Sequence, residues 1–129
     1  MCIFCDIIDG KIPSRTVYED DNVKAILDVA PLSKGHTIVL SKKHVTSLLE
    51  ADAETIAAVM DATARLAKYI TAKTGADGCN ILINCHEAAG QSVDHMHVHI
   101  IPRYAGEDII SLNPAPAADP DEVLELIKA

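Results

Sequence analysis

His95, His97 and His99 alternate with Met96, Val98 and Ile100, and the run closes on Ile101-Pro102. Imidazole titrates near neutrality, and it can transfer protons, attack phosphorus or bind a metal. Alternation with a period of two belongs to a β-strand, whose side chains point to opposite faces in turn. The three rings therefore share one face, and Met96, Val98 and Ile100 face a core. Neighbouring histidines on a strand stand ~6.6 Å apart and the outer pair ~13 Å. Zinc–nitrogen bonds are only ~2.0–2.1 Å long, so one ion cannot gather all three rings. Of the chain's 6 histidines, half sit in this strand, a concentration that a merely solvated strand face does not account for.

Such a strand needs a sheet and a covering layer. Val17–Asp20 and Val23–Val29 read as strands joined across the turn-prone pair Asp21-Asn22. Ala30–Gly35 reads as a loop and His36–Leu40 as a third strand. Asp52 suits the N-cap of a long helix, with Glu54 in its first turn. Ile56, Val59, Met60, Thr63, Leu66, Ala67 and Ile70 keep helical spacing, and Gly75 stops the helix. Cys79–Asn84 reads as a fourth strand with Ile81 and Ile83 on one face. His86–Gln91 is a small-residue loop that leads into the histidine strand. Asn113–Pro120, rich in proline and alanine, reads as extended. Asp119-Pro120 with Asp121 and Glu122 then starts a short terminal helix. Strands, a helix and more strands predict an antiparallel α+β sheet, in a single domain spanning residues 1–129.

The composition narrows the class. A formal net charge of −8 argues against broad nucleic-acid binding, which needs a basic surface to displace counterions. No apolar run approaches the ~18–20 residues of a membrane span. The N-terminus reaches Asp6 without a signal-peptide core, and the expected location is cytoplasmic. Disulfides are uncommon there, so the 4 cysteines call for another reading. Cys2-Ile3-Phe4-Cys5 leaves redox chemistry and metal ligation open. A thioredoxin-like pair follows a strand, and the sequence supplies none before Cys2. Cys79 and Cys85 fall at the two ends of the fourth strand and carry no assigned role.

The run His-φ-His-φ-His-φ-φ, with φ apolar, resembles the histidine-triad (HIT) family of nucleotide hydrolases and transferases. Further segments are similar: Ile3-Phe4-Cys5, Ile12-Pro13-Ser14, Val17-Tyr18-Glu19-Asp20, Leu27-Asp28, Lys34-Gly35-His36-Thr37, Lys42-Lys43-His44 and Ala89-Gly90-Gln91-Ser92-Val93-Asp94. The resemblance runs from Cys2 to about Arg103. It implies a five-stranded antiparallel sheet with one long helix and short terminal helices, paired into a homodimer.

The resemblance also implies roles. His97 would attack the α-phosphorus of a purine nucleotide and form a covalent nucleotidyl-histidine. His99 and Ser92 would serve the phosphate and the leaving group, with His95 completing the triad. Gly90, Gln91, Asn84 and His36 would lie near the phosphates, Asp28 would bind ribose hydroxyls, and Phe4, Ile7, Ile26 and Leu27 would line the base pocket. Asparagine at Asn84 leans toward the phosphoramidase branch, which would release AMP from adenosine phosphoramidates or related nucleotides. Alternatives are a dinucleoside polyphosphate hydrolase, a nucleotide-binding interaction module with little turnover, and a metal-binding protein without catalysis. Some members hold a structural zinc, and the matching residues are Cys2, Cys5, His44 and His95, a donor set suited to a closed tetrahedral site. One position departs from the pattern. Glycine usually follows the asparagine by two, and here that residue is His86. Its backbone is then expected either to shift the loop or to turn the ring to solvent.

Overall fold

Register decides which residues meet in this protein. The computed structural model describes residues 2–115 and 118–129. Among them the strands are β1 (Thr16–Glu19), β2 (Val23–Leu27), β3 (Thr37–Ser41), β4 (Gly78–Leu82) and β5 (His97–Arg103). They form one 5-stranded sheet in the order β1-β2-β3-β5-β4, and every neighbouring pair is antiparallel. The triad strand β5 lies between β3 and β4, held by backbone ladders on both sides.

Directly opposed residues of an antiparallel pair share a face. Ala25 opposes Val39, and Val39 opposes Val98. Helix α2 (Ala53–Thr74) covers that face, and its Val59, Ala62, Leu66, Ala67 and Ile70 pack with Met96, Val98 and Ile100 into the main core. Burying each of the larger side chains among them contributes about 1.5–3 kcal/mol. Asp52 caps the helix by accepting from Thr55 N–H at 2.8 Å. Gly75 ends it at φ 74, a left-handed turn that glycine adopts without a Cβ penalty.

The opposite face is built by Ile26, Ile38 and Leu40, covered by the short helix α1 (Ile3–Ile8) through Phe4 and Ile7. Leu40 opposes His97 and Ile38 opposes His99, which places both rings on this side. Helix α3 (Pro120–Lys128) is capped by Asp119 as expected. The proline- and alanine-rich stretch before it runs through Pro116 and Ala117, which lie outside the described residues.

Three expectations change in detail. The histidine strand starts at His97, because Met96 N–H bonds Val45 carbonyl at 2.7 Å instead of joining the ladder. The fourth strand stops at Leu82, which leaves Ile83, Asn84 and Cys85 beyond its end. Ile81 opposes Ile100 on the α2 face, yet it is 42% exposed because β4 is the edge strand, while Ile83 packs on the core.

Candidate functional site

His97 and His99 stand side by side, ring centroids 5.1 Å apart, in a cleft of about 670 Å³. Phe4, Ile7, Ile26, Leu27, Asp28 and Ser92 line it with them. Phe4 meets the His97 ring edge-on at 5.0 Å, so α1 walls the cleft and fixes the ring together. Arg15, Pro31 and Val93 also line it. Arg15 brings a cation that motif reading passed over. Its signal was a lone basic residue after Ile12-Pro13-Ser14.

Backbone groups decide what each ring can do. His97 Nδ1 lies 2.6 Å from the His95 carbonyl. A carbonyl only accepts, so Nδ1 carries the proton and Nε2 keeps its lone pair. Burial pushes His97 below the ordinary histidine range, against the opposing pull of the His95 carbonyl and Asp28. His99 is pushed down to about 4, first by burial and then by His97 and His36. Both rings are therefore neutral at pH 7.

His36 does not line the cleft. It is 3% exposed and sits behind His99, its Nε2 2.9 Å from His99 Nδ1. His36 was expected near the phosphates, and the structure places it one ring behind the cleft wall, with His99 in front of it. Asp28 Oδ2 lies 3.5 Å from His36 Nε2, while Oδ1 accepts from Ala30 N–H at 2.8 Å. Asp28, His36 and His99 bring three potential metal donors together. The Leu32 amide argues against that use. It donates to His36 Nδ1 at 3.0 Å, which keeps the ring proton on Nε2 where an ion would need a lone pair.

The other end of the row is different. The donor atoms of Cys2, Cys5, His44 and His95 all lie within 4.8 Å of one another. Cys2 Sγ–His95 Nδ1 is 3.4 Å, Cys5 Sγ–His44 Nδ1 3.2 Å, Cys5 Sγ–His95 Nδ1 3.6 Å and His44 Nδ1–His95 Nδ1 3.1 Å. Ligands of a tetrahedral zinc stand roughly 3.3–3.8 Å apart, so this donor set could hold a metal ion. His95 Nε2 donates to the Ser41 carbonyl at 2.6 Å, which turns the Nδ1 lone pair toward the thiols. Burial and the adjoining Cys2 push the Cys5 thiol up, and a bound cation is what would let both sulfurs ionise. His95 is 0% exposed with both nitrogens committed. It does not line the cleft that holds His97 and His99. A second hollow of about 680 Å³ lies beside this cluster, lined by Cys2, His44, Ser92 and Asp94. It does not reach His97.

The loop before β5 is held from inside. Gln91 Oε1 accepts from His86 N–H at 2.7 Å, and Nε2 donates to the carbonyls of Thr46 at 2.6 Å and Val93 at 2.9 Å. Gln91 is 6% exposed, so its amide supports the loop and does not line the cleft. Gly90 turns the chain at φ 94, and Asn84 Nδ2 is the nearest atom a Cβ would meet, at 4.0 Å. Asn84 and Gly90 thus adjoin each other outside the cleft wall. His86 takes a glycine-type backbone at φ 73 and ψ 163. Its exposed ring pairs with Glu50 at 3.0 Å.

Known proteins share this geometry. A family model for the HIT domain matches residues 9–106. An uncharacterised HIT-like protein of Methanocaldococcus jannaschii is 43% identical over 129 residues, 99% of each chain. The adenylylsulfatase HINT3 of Arabidopsis thaliana is 42% identical over 79% of this chain and 52% of its own length. The crystal structure of a zinc-bound histidine-triad family protein from Mycobacterium smegmatis superposes with a TM-score of 0.80 at 38% identity, covering 98% of this chain and 90% of that one. The chain belongs to the histidine-triad (HIT) family, and the five-stranded antiparallel fold expected from that resemblance is the one observed.

Proposed function

We propose that this protein hydrolyses purine nucleoside 5'-phosphoramidates or related nucleotides carrying a leaving group on the α-phosphate. The observation that carries this reading is the His97 ring. Its Nδ1 proton is held by the His95 carbonyl at 2.6 Å, so the lone pair on Nε2 is available to the cleft. Nε2 attacks the α-phosphorus, the bond to the leaving amine breaks, and the amine takes a proton delivered through Ser92 or His99. Water then attacks the nucleotidyl-histidine, the P–Nε2 bond breaks, and the nucleoside monophosphate departs. The apolar walls Phe4, Ile7, Ile26 and Leu27 suit a purine, and Asp28 can accept from ribose hydroxyls. A relative named as an adenylylsulfatase supports an adenylyl substrate.

We read the metal of the Cys2–Cys5–His44–His95 cluster as a structural zinc, supported by two thiol and two imidazole donors and by the zinc-bound relative. Those four residues would tie α1, the Lys43–Val45 segment and the start of β5 together. The ion would act only as a clamp. The edge strand β4 with exposed Ile81 and Leu82 supports a homodimer, since such an edge is a ready pairing surface. No helix among the described residues is long and apolar enough to cross a membrane, and the reduced thiols suit a cytoplasmic location.

The test is AMP release from adenosine phosphoramidate and from diadenosine tetraphosphate, by wild type and His97→Ala. The reading expects preference for the phosphoramidate and its loss in the variant. Undiminished turnover in His97→Ala would remove His97 as nucleophile. No wild-type turnover on either substrate would favour a binding module.

A further inference from the structure

Arg15 lines the cleft, and the chemistry proposed above gives it no task. Its position follows from register. His99 opposes Ile38, Ile38 opposes Ile26 and Ile26 opposes Thr16, so these four residues cross the sheet in one row from β5 to β1. Arg15 directly precedes Thr16, and its carbonyl accepts from Leu27 N–H at 3.0 Å. Neighbouring strands stand ~4.8 Å apart, so β1 lies about 14 Å from the histidine strand. The apolar middle of the row, Ile38 and Ile26, packs under Phe4 and Ile7 of α1. A nucleotide with its phosphorus at His97 therefore has its base in that middle, and the outer edge of the base faces the wall where Arg15 stands. The other two arginines are committed, Arg65 to Asp61 at 3.0 Å and Arg103 to Asn80 at 2.7 Å. Arg15 is exposed, and among the described residues no side-chain hydrogen bond or ion pair holds its guanidinium.

We propose that Arg15 is a specificity residue that ranks guanine ahead of adenine in this cleft. The proposal rests on the reading of the cleft as a nucleotide site, and it goes beyond that reading by naming the base. A guanidinium carries five N–H donors and accepts nothing. Guanine presents O6 and N7, two acceptors side by side, whereas adenine presents the N6 amino donor beside N7. Arg15 can therefore bond the guanine edge through two donors, while against adenine one of those donors meets another donor. The apolar walls treat both purines alike, so adenylyl substrates still bind and only the order changes. An anionic leaving group is the other ligand that a guanidinium could serve. Register argues against it, because that group departs from phosphorus at the histidine end of the row, three strands away from β1.

The experiment is calorimetric titration of the full-length protein with GMP, IMP and AMP, for wild type and Arg15→Ala, beside turnover of guanosine and adenosine phosphoramidates. The three nucleotides carry the same phosphate, so ratios of their affinities isolate the base. IMP shares O6 and N7 with GMP but lacks the 2-amino group. Wild type should bind GMP and IMP about 5–20-fold more tightly than AMP, and kcat/KM for the two phosphoramidates should follow the same order. Arg15→Ala should bring the three affinities within about twofold of one another by lowering those of GMP and IMP, with AMP changed by less than about threefold. The thermal midpoint should match wild type, since the side chain is exposed. Equal affinities in wild type overturn the proposal, and so does a guanine preference that survives in Arg15→Ala. IMP binding like AMP would mean that the 2-amino group is read instead, and an equal loss for all three in Arg15→Ala would place the cation on the phosphate; either result overturns it. Base preference without turnover would remove the proposed hydrolysis and leave the assignment of Arg15 standing. Turnover without base preference would do the reverse, and binding of none of the three would overturn both.

Discussion

The two ends of the histidine row use one residue type for opposite purposes. At the His95 end, Nε2 is tied to the Ser41 carbonyl and Nδ1 joins two thiols and His44. That end is closed, and α1 is bound to the sheet through it. At the His99 end, Nδ1 is tied to His36 and the other ring nitrogen is left to the cleft. His97 lies between them, with its Nδ1 on the His95 carbonyl. Three histidines two residues apart thus occupy three chemical states. The difference teaches that the hydrogen-bond partner of each ring, not the spacing of the motif, assigns its work. It also predicts that the two ends separate under mutation.

The largest effect should come from His97→Ala. Removing the nucleophile is expected to cut phosphoramidate turnover by at least ~10³-fold, with metal content and thermal stability close to wild type. Elemental analysis beside the assay checks both halves. Loss of bound metal in this variant would show that the ends are not separable.

Cys5→Ser is the reverse experiment. It should abolish stoichiometric metal binding and lower the melting midpoint by on the order of 10 °C. At a temperature where the variant is folded, turnover should stay within about tenfold of wild type, because no cluster atom lines the His97 cleft and effects on it are indirect. Chelation of the wild type should reproduce the stability loss. Turnover falling as far as in His97→Ala would instead place the metal in the chemistry.

Acid should find the His99 end next. The buried His36 ring and the half-buried His99 ring are held neutral, and His99 lies at about 4. An unfolded histidine titrates near ~6.5, so below that pH the unfolded chain takes up protons first. Their contribution is full above ~6.5 and is lost as pH falls toward 4. For His99 the loss at pH 5 is about 1–2 kcal/mol, allowing for its partial exposure. Urea denaturation at pH 7 and pH 5 measures it, and His99→Gln should shrink the difference. An equal difference in the variant would move the acid sensitivity from His99 to the other buried histidines, His36 and His97, or to the thiol–imidazole cluster.

Much of this contrast was legible in the sequence, and the remainder was hidden for physical reasons. Alternation in the triad gave the shared ring face, and the spacing in α2 gave its buried stripe. The Cys2–Cys5–His44–His95 cluster was legible through the family resemblance, because Cys-x-x-Cys by itself leaves redox chemistry and metal ligation open. His36 was placed beside the phosphates because a motif names a neighbourhood and not which ring stands in front. The partners that set each tautomer are the Leu32 amide and the carbonyls of Ser41 and His95. They are main-chain groups, so no residue type announces them. Helix α1 spans only Ile3–Ile8, too short for periodicity to stand out. Ile81 carried strand alternation, but alternation does not say whether a face has a neighbour.

The loop between the two ends offers the smallest effect and the sharpest check on this reasoning. His86 is the one non-glycine residue with positive φ among the described residues. At φ 73 and ψ 163 it occupies a region that is almost exclusive to glycine and costs of order 1–3 kcal/mol. The Gln91 amide holds the backbone there, and the Glu50 carboxylate holds the ring. His86→Gly would relieve the strain. It would also forfeit an exposed ion pair worth about 0–1 kcal/mol and add freedom to the unfolded chain. The net expectation is a gain of about 1 kcal/mol, seen as a rise in the denaturation midpoint, with turnover unchanged within about twofold. A destabilised glycine variant would mean that the Glu50 pair outweighs the strain. Gln91→Ala in the same background should then still loosen the loop, because its three bonds go to main-chain groups of His86, Thr46 and Val93 and do not depend on the residue at 86 having a side chain.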